Sequence, residues 1–323
     1  MPLAYDPEFL TTSTPLLIPS SSLPRPSLHD ISTRRSNVDA LRPIPRPRNP
    51  PDISHTTHLI PTTPPVLLHR FAPTSLPSPA PPASLPAILH IHGGGFITIS
   101  VADAAPSLTT YVRETGHQIF SVEYRLSPET PFPGAIDDAW AALNWLHDHA
   151  SEFGIDTCRI ALFGESAGGA IAAGLAIRAR DRGLLPPIKK LILIYPMLDY
   201  RTVTNQVGKL ATWNEVDNVT AWAAYLGRQR YEELLGGEGE VDGEASPALV
   251  RSVRGLPSTY LDVGQLDIFC REDVRWAERC VEEGVEVELH VLPGLPHGFE
   301  ALGAGTKVVE RCLERRMGVM REL

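Results

Sequence analysis

Apolar residues follow two different rhythms along this chain, and the change falls near Pro86. Beyond it, short apolar runs alternate with longer amphipathic stretches. Residues 87–91, 118–123, 159–163, 191–195, 259–263 and 285–292 read as strands. Several of these are apolar at every position rather than at alternate ones, as strands buried on both faces require. Between them, residues 106–115, 134–153, 167–182, 271–283 and 304–320 carry helical spacing. Strand and helix alternating at this interval predict an α/β chain: an open, doubly wound, mostly parallel sheet with helices on both faces.

The N-terminal part obeys other rules. Twenty of the 31 prolines lie in residues 1–86, a density that predicts no long helix there. A short helix over 28–41 is expected, then strands over 53–60 and 66–71 joined by a Pro-Thr turn, then a Pro/Ser/Ala linker over 75–86. A second break comes later. Roughly sixty residues separate the strand ending near Tyr195 from the one starting near Thr259, more than a crossover helix needs. That stretch holds Trp213, Trp222, Tyr225 and Tyr231, then the loose run GGEGEVDGE. The expected organisation is therefore an N-terminal arm (1–52), a core in two parts (53–198 and 246–323), and a cap inserted at 199–245, to which the arm contributes.

Composition narrows the function. The 323 residues are 43% hydrophobic and 21% charged, ordinary for a globular chain with a full core. A net charge of −9 argues against a nucleic-acid or anionic-membrane surface as the main partner. The charge is uneven: residues 1–86 sum to +2 and the remainder to −11. Four cysteines, none in a CxxC pair, are too few for a disulfide framework and predict buried thiols in a reducing compartment. The opening MPLAYDPEFL lacks the basic start of a secretory signal, and no apolar run approaches the ~18 residues of a membrane span. The expectation is a soluble, cytoplasmic protein.

Two glycine-rich motifs carry the chemistry. Gly164-Glu165-Ser166-Ala167-Gly168 lies between a predicted strand and a predicted helix. A tight turn in that setting projects a serine hydroxyl at the carboxyl edge of the sheet, beside the positive end of a helix. His92-Gly93-Gly94-Gly95-Phe96 directly follows the strand at 87–91. Three successive glycines cost backbone entropy, and aiming two N–H groups at one oxygen is a use for that freedom; the Ala167 N–H would be a third donor. A base and an acid should then come from later strand ends. His297, in the loop after the last strand, is the candidate base, with His290 left inside the strand as structural. Asp267, in the loop after the strand at 259–263, is the candidate acid. Asp262 lies within that strand, while Glu272 and Asp273 fall in a helix's first turn, where acids suit the dipole.

Other signals read as structure. His90 and His92 alternate on a strand but have no third ligand, so no metal site is expected. His147 and His149 point to different sides of a helix, residues 238–243 form a solvated acidic loop, and Arg125 with Glu129 reads as an ion pair. Phe96 and, from the cap, Trp213, Trp222 and Tyr225 are candidates to line a substrate pocket, though ordinary packing is the plainer use of such aromatics.

These residues resemble the hormone-sensitive-lipase-like branch of the α/β-hydrolases, esterases with HGGG and GxSAGG motifs. The likeness runs through His92–Phe96, Tyr124-Arg-Leu-Ser-Pro-Glu129, Pro131-Phe-Pro-Gly134 with Asp137 and Asp138, Gly164–Gly169, Ser246-Pro247, Gly264–Asp267 and His297-Gly-Phe299. It implies Ser166 as nucleophile, His297 as general base, Asp267 as its orienting partner, and an oxyanion hole from Gly94, Gly95 and Ala167. It also implies a cap built from the arm and the insertion, no metal or organic cofactor, and a homodimer paired through the last strand and helix. Departures are Glu165 where the branch usually has Asp, Ala170 for Asn, and Ile-Phe-Cys-Arg-Glu after Asp267 where Pro-Leu-Arg-Asp-Glu is usual. The expected function is hydrolysis of a small-molecule carboxylic ester with a short to medium acyl chain. Alternatives on the same scaffold are an amidase, a thioesterase, a dehydratase, or a small-molecule receptor; His297 weighs against the last, since such receptors lose the catalytic histidine.

Overall fold

The computed structural model describes residues 2–42, 49–76 and 84–323, with backbone alone at 16–21. In chain order the elements are α1 (Pro7–Ser21), α2 (Ile31–Leu41), β1 (Ile53–Ile60), β2 (Val66–Pro73), β3 (Leu85–Ile91), α3 (Val101–Thr115), β4 (Gln118–Glu123), α4 (Gly134–Asp148) and β5 (Ile155–Glu165). They continue with α5 (Ala167–Asp181), β6 (Lys190–Ile194), α6 (Glu215–Leu226), α7 (Arg228–Leu235), β7 (Ser258–Gly264), α8 (Cys270–Glu282), β8 (Val287–Leu292), α9 (Phe299–Leu302) and α10 (Lys307–Arg321).

The described strands form an eight-stranded sheet in the order β1-β2-β4-β3-β5-β6-β7-β8. β1, β2 and β4 pair antiparallel, and every later pairing is parallel. The chain steps one way from β3 to β4 and the other way from β4 to β5. Right-handed crossovers then put α3 on one face and α4 and α5 on the other. Accordingly α4 packs on α5, and α10 packs on α3. The parallel strands in the middle are buried on both faces: residues 191–194 of β6 and 160–164 of β5 are all buried. This is the physical origin of their uninterrupted apolar runs. The carboxyl ends of β3, β5, β7 and β8 share one edge of the sheet, which is where the candidate residues fall.

Proline proved a weaker helix breaker than its density suggested. α1 is a 15-residue helix in the proline-rich arm and contains Pro15. Its start is capped by Asp6, whose carboxylate accepts from the N–H groups of Glu8 and Phe9, both at 3.0 Å. Pro7 sits where a missing N–H is harmless. Tertiary packing does the rest: Phe9 is fully buried, and its ring lies so close to Gly303 that a Cβ there would be 2.4 Å away.

α3 likewise starts at Val101 and runs through Pro106, which was expected to open the helix. The Asp103 carboxylate accepts from the Ser100 N–H (2.9 Å) and hydroxyl (2.8 Å), fixing an earlier start. β3 begins at Leu85 rather than 87, and the ladder to β5 shifts between Leu85 and Ala87, so Pro86 sits at an irregularity, where its lack of a donor is tolerated. Of the expected linker over 75–86, residues 77–83 lie outside the described residues.

The thiols are only partly buried: Cys280 and Cys312 are, Cys270 is intermediate and Cys158 is exposed. Among the described residues no helix is long and apolar enough to cross a membrane.

Candidate active site

Ser166 stands alone in the turn between β5 and α5, with φ 55° and ψ −120°. This is a costly conformation for a residue with a side chain, and the surroundings must hold it. The Ser166 N–H donates to the Ile194 carbonyl (2.9 Å), and its own carbonyl accepts from the Met197 N–H (3.1 Å). Only glycine fits at position 168, because a Cβ there would lie 2.0 Å from the Ile91 carbonyl oxygen. That close approach of α5 to the end of β3 brings the glycine turn beside the serine. A Cβ on Gly93 would be 3.4 Å from the Cβ of Ser166.

His297 and Asp267 converge on the same point. The imidazole Nε2 is 2.9 Å from Ser166 Oγ, and Nδ1 is 2.6 Å from Asp267 Oδ2. The second oxygen of Asp267 accepts from the Phe269 N–H at 3.0 Å, so neither oxygen is left unpaired. The two loops are stitched together: the Gln265 N–H donates to the Leu292 carbonyl (2.8 Å) and the Leu266 N–H to the Leu295 carbonyl (2.9 Å). Around the imidazole stand the ring of Tyr195, edge-on at 4.5 Å, and that of Phe269 at 5.2 Å. From the insertion, the Thr212 hydroxyl donates to the His297 carbonyl at 2.6 Å. A hydroxyl, an imidazole and a buried carboxylate in series can move a proton from oxygen to nitrogen while the resulting cation stays paired.

The glycine turn is wound left-handed: φ is 100° at Gly94, 60° at Gly95 and 64° at Phe96. The Gly94 carbonyl is occupied by the N–H groups of Ile97 (3.1 Å) and Thr98 (3.0 Å). Among the described residues, no backbone or side-chain acceptor takes up the N–H of Gly94 or Gly95. The Ala167 N–H, first in α5, is likewise without an intrahelical partner. Tyr124 supports the turn from below, its hydroxyl donating to the carbonyls of His92 (3.0 Å) and Gly93 (3.1 Å) while its ring stacks on His92 at 4.3 Å. Burial pulls the His92 pKa down to about 4, so its imidazole is neutral, with Nδ1 3.0 Å from the Gly93 carbonyl.

The expected pocket aromatics separate: Phe96, Trp222 and Tyr225 are buried against one another, and Trp213 alone is partly exposed. Phe96 is 1% exposed, stacked on Tyr225 at 4.0 Å and tilted against Trp222, so its ring supports the turn. Trp213 lies directly over the turn: a Cβ on Gly95 would be 2.5 Å from its ring edge, and the ring is 6.3 Å from that of His297. Its Nε1 is 3.4 Å from Asn218 Oδ1, and Asn218 Nδ2 donates to the Thr202 carbonyl at 2.7 Å.

Other side chains took partners the sequence did not announce. Arg125 and Glu129 do not pair with each other. Arg125 grips Asp138 (2.7 Å) and Glu129 grips Arg35 of α2 (2.7 Å), because the turn between them faces two different elements. Glu272 is more than a helix-dipole acid. It is buried and accepts from the N–H groups of Leu198 (2.6 Å) and Asp199 (3.1 Å) and from the Thr202 hydroxyl. His90 is buried, 2.8 Å from Ser121 Oγ and 3.6 Å from a Glu165 oxygen. Among the described residues, no cluster of three or more His, Cys, Asp or Glu could hold a metal.

A further neighbour of His297 that sequence reading missed is Tyr195. Its hydroxyl donates to Glu300 (2.7 Å), which also pairs with the fully buried Arg316 (2.7 Å). Its only sequence signal was a tyrosine at the end of a predicted strand.

A model of the family described as "alpha/beta hydrolase fold" matches residues 88–301. Esterase LipI of Mycobacterium tuberculosis is 35% identical over 67% of this chain and 66% of its own length, so the chain spans just under two thirds of that relative. Hormone-sensitive lipase of Mus musculus is 36% identical over 36% of this chain and 15% of its own. Among solved structures, a bacterial heroin esterase superposes with a TM-score of 0.86 at 33% identity, covering 99% of this chain and 98% of that one. The chain belongs to the α/β-hydrolase family, in the hormone-sensitive-lipase-like branch.

Proposed function

We propose that this protein hydrolyses carboxylic esters of small molecules through an acyl-enzyme, with Ser166 as nucleophile, His297 as general base and Asp267 as its orienting carboxylate. The observation that carries the reading is the unbroken series from Ser166 Oγ to His297 Nε2 (2.9 Å) and from His297 Nδ1 to Asp267 Oδ2 (2.6 Å). The esterase relatives and the heroin esterase likeness support the substrate class.

In this mechanism the Ser166 proton passes to His297 Nε2 as Oγ attacks the ester carbonyl, and Asp267 stabilises the imidazolium. The carbonyl oxygen, now anionic, accepts from the N–H groups of Gly94, Gly95 and Ala167; loss of one such donor in a comparable site raises the barrier by about 3 kcal/mol. The imidazolium proton then goes to the departing alkoxide. Water, deprotonated by the same histidine, releases the acid and restores Ser166.

The arm and the insertion act as a cap, with Trp213 over the turn as the substrate-binding aromatic and Phe96 as its support. An indole seated on Gly95 takes up room beside the reacting carbonyl, which favours short acyl chains over medium ones. Ser166→Ala should lower kcat on p-nitrophenyl acetate by about 10⁴-fold or more, with an unchanged unfolding midpoint. Retained turnover in a folded Ser166→Ala protein would overturn the assignment.

A further inference from the structure

The donor turn that follows β3 is held in a conformation its own sequence does not favour. Besides Gly94 and Gly95, two residues with side chains are left-handed, Phe96 (φ 64°) and Ile99 (φ 69°). Positive φ at bulky residues persists only where surrounding contacts over-determine it. One such contact arrives from a distant part of the chain. Arg35, on α2 of the proline-rich arm, donates Nε to the Ile97 carbonyl (2.8 Å) and Nη2 to the Ser127 carbonyl (3.0 Å). The same guanidinium is bidentate to Glu129, with Nη1 at 2.7 Å and Nη2 at 2.8 Å.

Both carbonyls belong to residues whose N–H groups already engage the turn. The Ile97 N–H donates to the Gly94 carbonyl (3.1 Å), and the Ser127 N–H donates to the Phe96 carbonyl (2.9 Å). One planar cation therefore ties together the two segments between which Gly94, Gly95 and Phe96 are suspended. The rest of α2, with Arg42 at its C-terminal cap, braces the same region. Arg34 donates Nε to Asp217 of α6 at 3.0 Å, and Arg42 pairs with Asp103, in the first turn of α3, at 2.7 Å.

We propose that Arg35 is a positioning residue for ester hydrolysis. It fixes the N–H groups of Gly94 and Gly95 toward the developing oxyanion by clamping Ile97 and Ser127, and Glu129 holds the clamp in orientation. The inference rests on the serine-hydrolase reading above and adds a residue that never touches substrate. Its energetic logic separates it from a stability role. The Glu129 side chain is 61% exposed and that of Arg35 34%, so solvent screens the charge part of this bidentate pair and folding draws only modestly on it. A donor turn loosened by a fraction of an ångström, by contrast, loses transition-state contacts first.

The test compares Arg35→Met, Arg35→Lys and Glu129→Gln with wild type on p-nitrophenyl acetate, and adds the affinity for a trifluoromethyl ketone that binds as a tetrahedral oxyanion. Arg35→Met should lower kcat about tenfold with KM changed less than about twofold, and should weaken the ketone in proportion to kcat/KM. Arg35→Lys should fail to rescue, because an ammonium cannot span two carbonyls and a carboxylate at once. Glu129→Gln, which leaves both carbonyl contacts possible, should fall between wild type and Arg35→Met.

Folded Arg35→Met with wild-type kcat, or a loss confined to KM, overturns the proposal. Should Arg35→Met not fold, a Glu129→Gln protein with wild-type kcat and ketone affinity overturns it equally. Ser166→Ala on the same substrate separates the two levels: if it is active the whole reading fails, and if it is dead while Arg35→Met is unaffected only the clamp fails.

Discussion

Ser166, Asp267 and His297 could be picked out as candidates because each stands shortly after a predicted strand with a glycine or proline within three residues, where few structural demands compete with chemistry. Arg35 could not, since its partners lie 62 and 94 residues away and nothing local marks an arginine as a clamp. Tyr195 was hidden for the same reason, and Tyr124 stood out only as part of a motif: their partners, the carbonyls of His92 and Gly93 for Tyr124 and Glu300 for Tyr195, are far away in sequence. Trp213 was visible as an aromatic in an insertion, but its seat on Gly95 could only come from tertiary structure. That seat makes a prediction at the scale of one ring. Trp213→Ala should open space beside the carbonyl and raise the ratio of kcat/KM for octanoate over acetate p-nitrophenyl esters by about tenfold. An unchanged chain-length profile in that variant would mean the indole does not bound the acyl site.

The central strands after Pro86 were readable because burial on both faces leaves an unbroken apolar pattern, and the helices from their spacing, whereas starts depended on contacts that a pattern does not hold. β5 begins at Ile155, four residues before the expected start, and α3 five residues before Pro106, because pairing to β3 and the Asp103 cap decided them. α8 holds the least expected chemistry of any element. Its first turn carries two buried acids, Glu272 and Asp273, and among the described residues neither oxygen of Asp273 has a hydrogen-bond partner.

Burial above all, then the charges of Glu272 and Asp267, holds the Asp273 carboxyl well above its ordinary range. The folded pKa exceeds the unfolded one, so the contribution to stability is complete below about pH 4 and is lost as pH rises toward the folded value. Asp273→Asn keeps the shape and removes the ionisation. It should leave the unfolding midpoint near pH 4.5 little changed and raise it at pH 8 by about 2–4 °C. Lower stability than wild type throughout that range would show that Asp273 is ionised and paired in the native state.

Across the whole molecule, the charge asymmetry of the sequence turns into attachment. The basic arm meets acidic partners on the core and the insertion: Arg34 with Asp217, Arg35 with Glu129, Arg42 with Asp103. The C-terminal helix is fastened by a different device, buried rather than superficial. Arg316 of α10 is 0% exposed and binds Asp262 of β7, also 0% exposed, through Nε and Nη2, both at 2.7 Å. Its third nitrogen reaches Glu300, and the guanidinium lies over the rings of Tyr195 (5.8 Å) and Phe299 (5.2 Å).

Tyr260 and Cys312 also donate to Asp262, at 2.9 Å and 3.5 Å, so the carboxylate's surroundings are built for its charge. Removing one partner of such a pair strands the other without solvent, which costs about 3–5 kcal/mol, whereas removing both costs far less. Arg316→Met should therefore lower the urea midpoint sharply, and Asp262→Asn combined with Arg316→Met should recover part of the loss. Because Tyr195 stands edge-on to His297 at 4.5 Å, the single variant should also lower kcat in whatever protein remains folded. A double variant no more stable than Arg316→Met alone would mean that the stranded charge is not what the arginine prevents, and that its stem and ring contacts carry the attachment of α10.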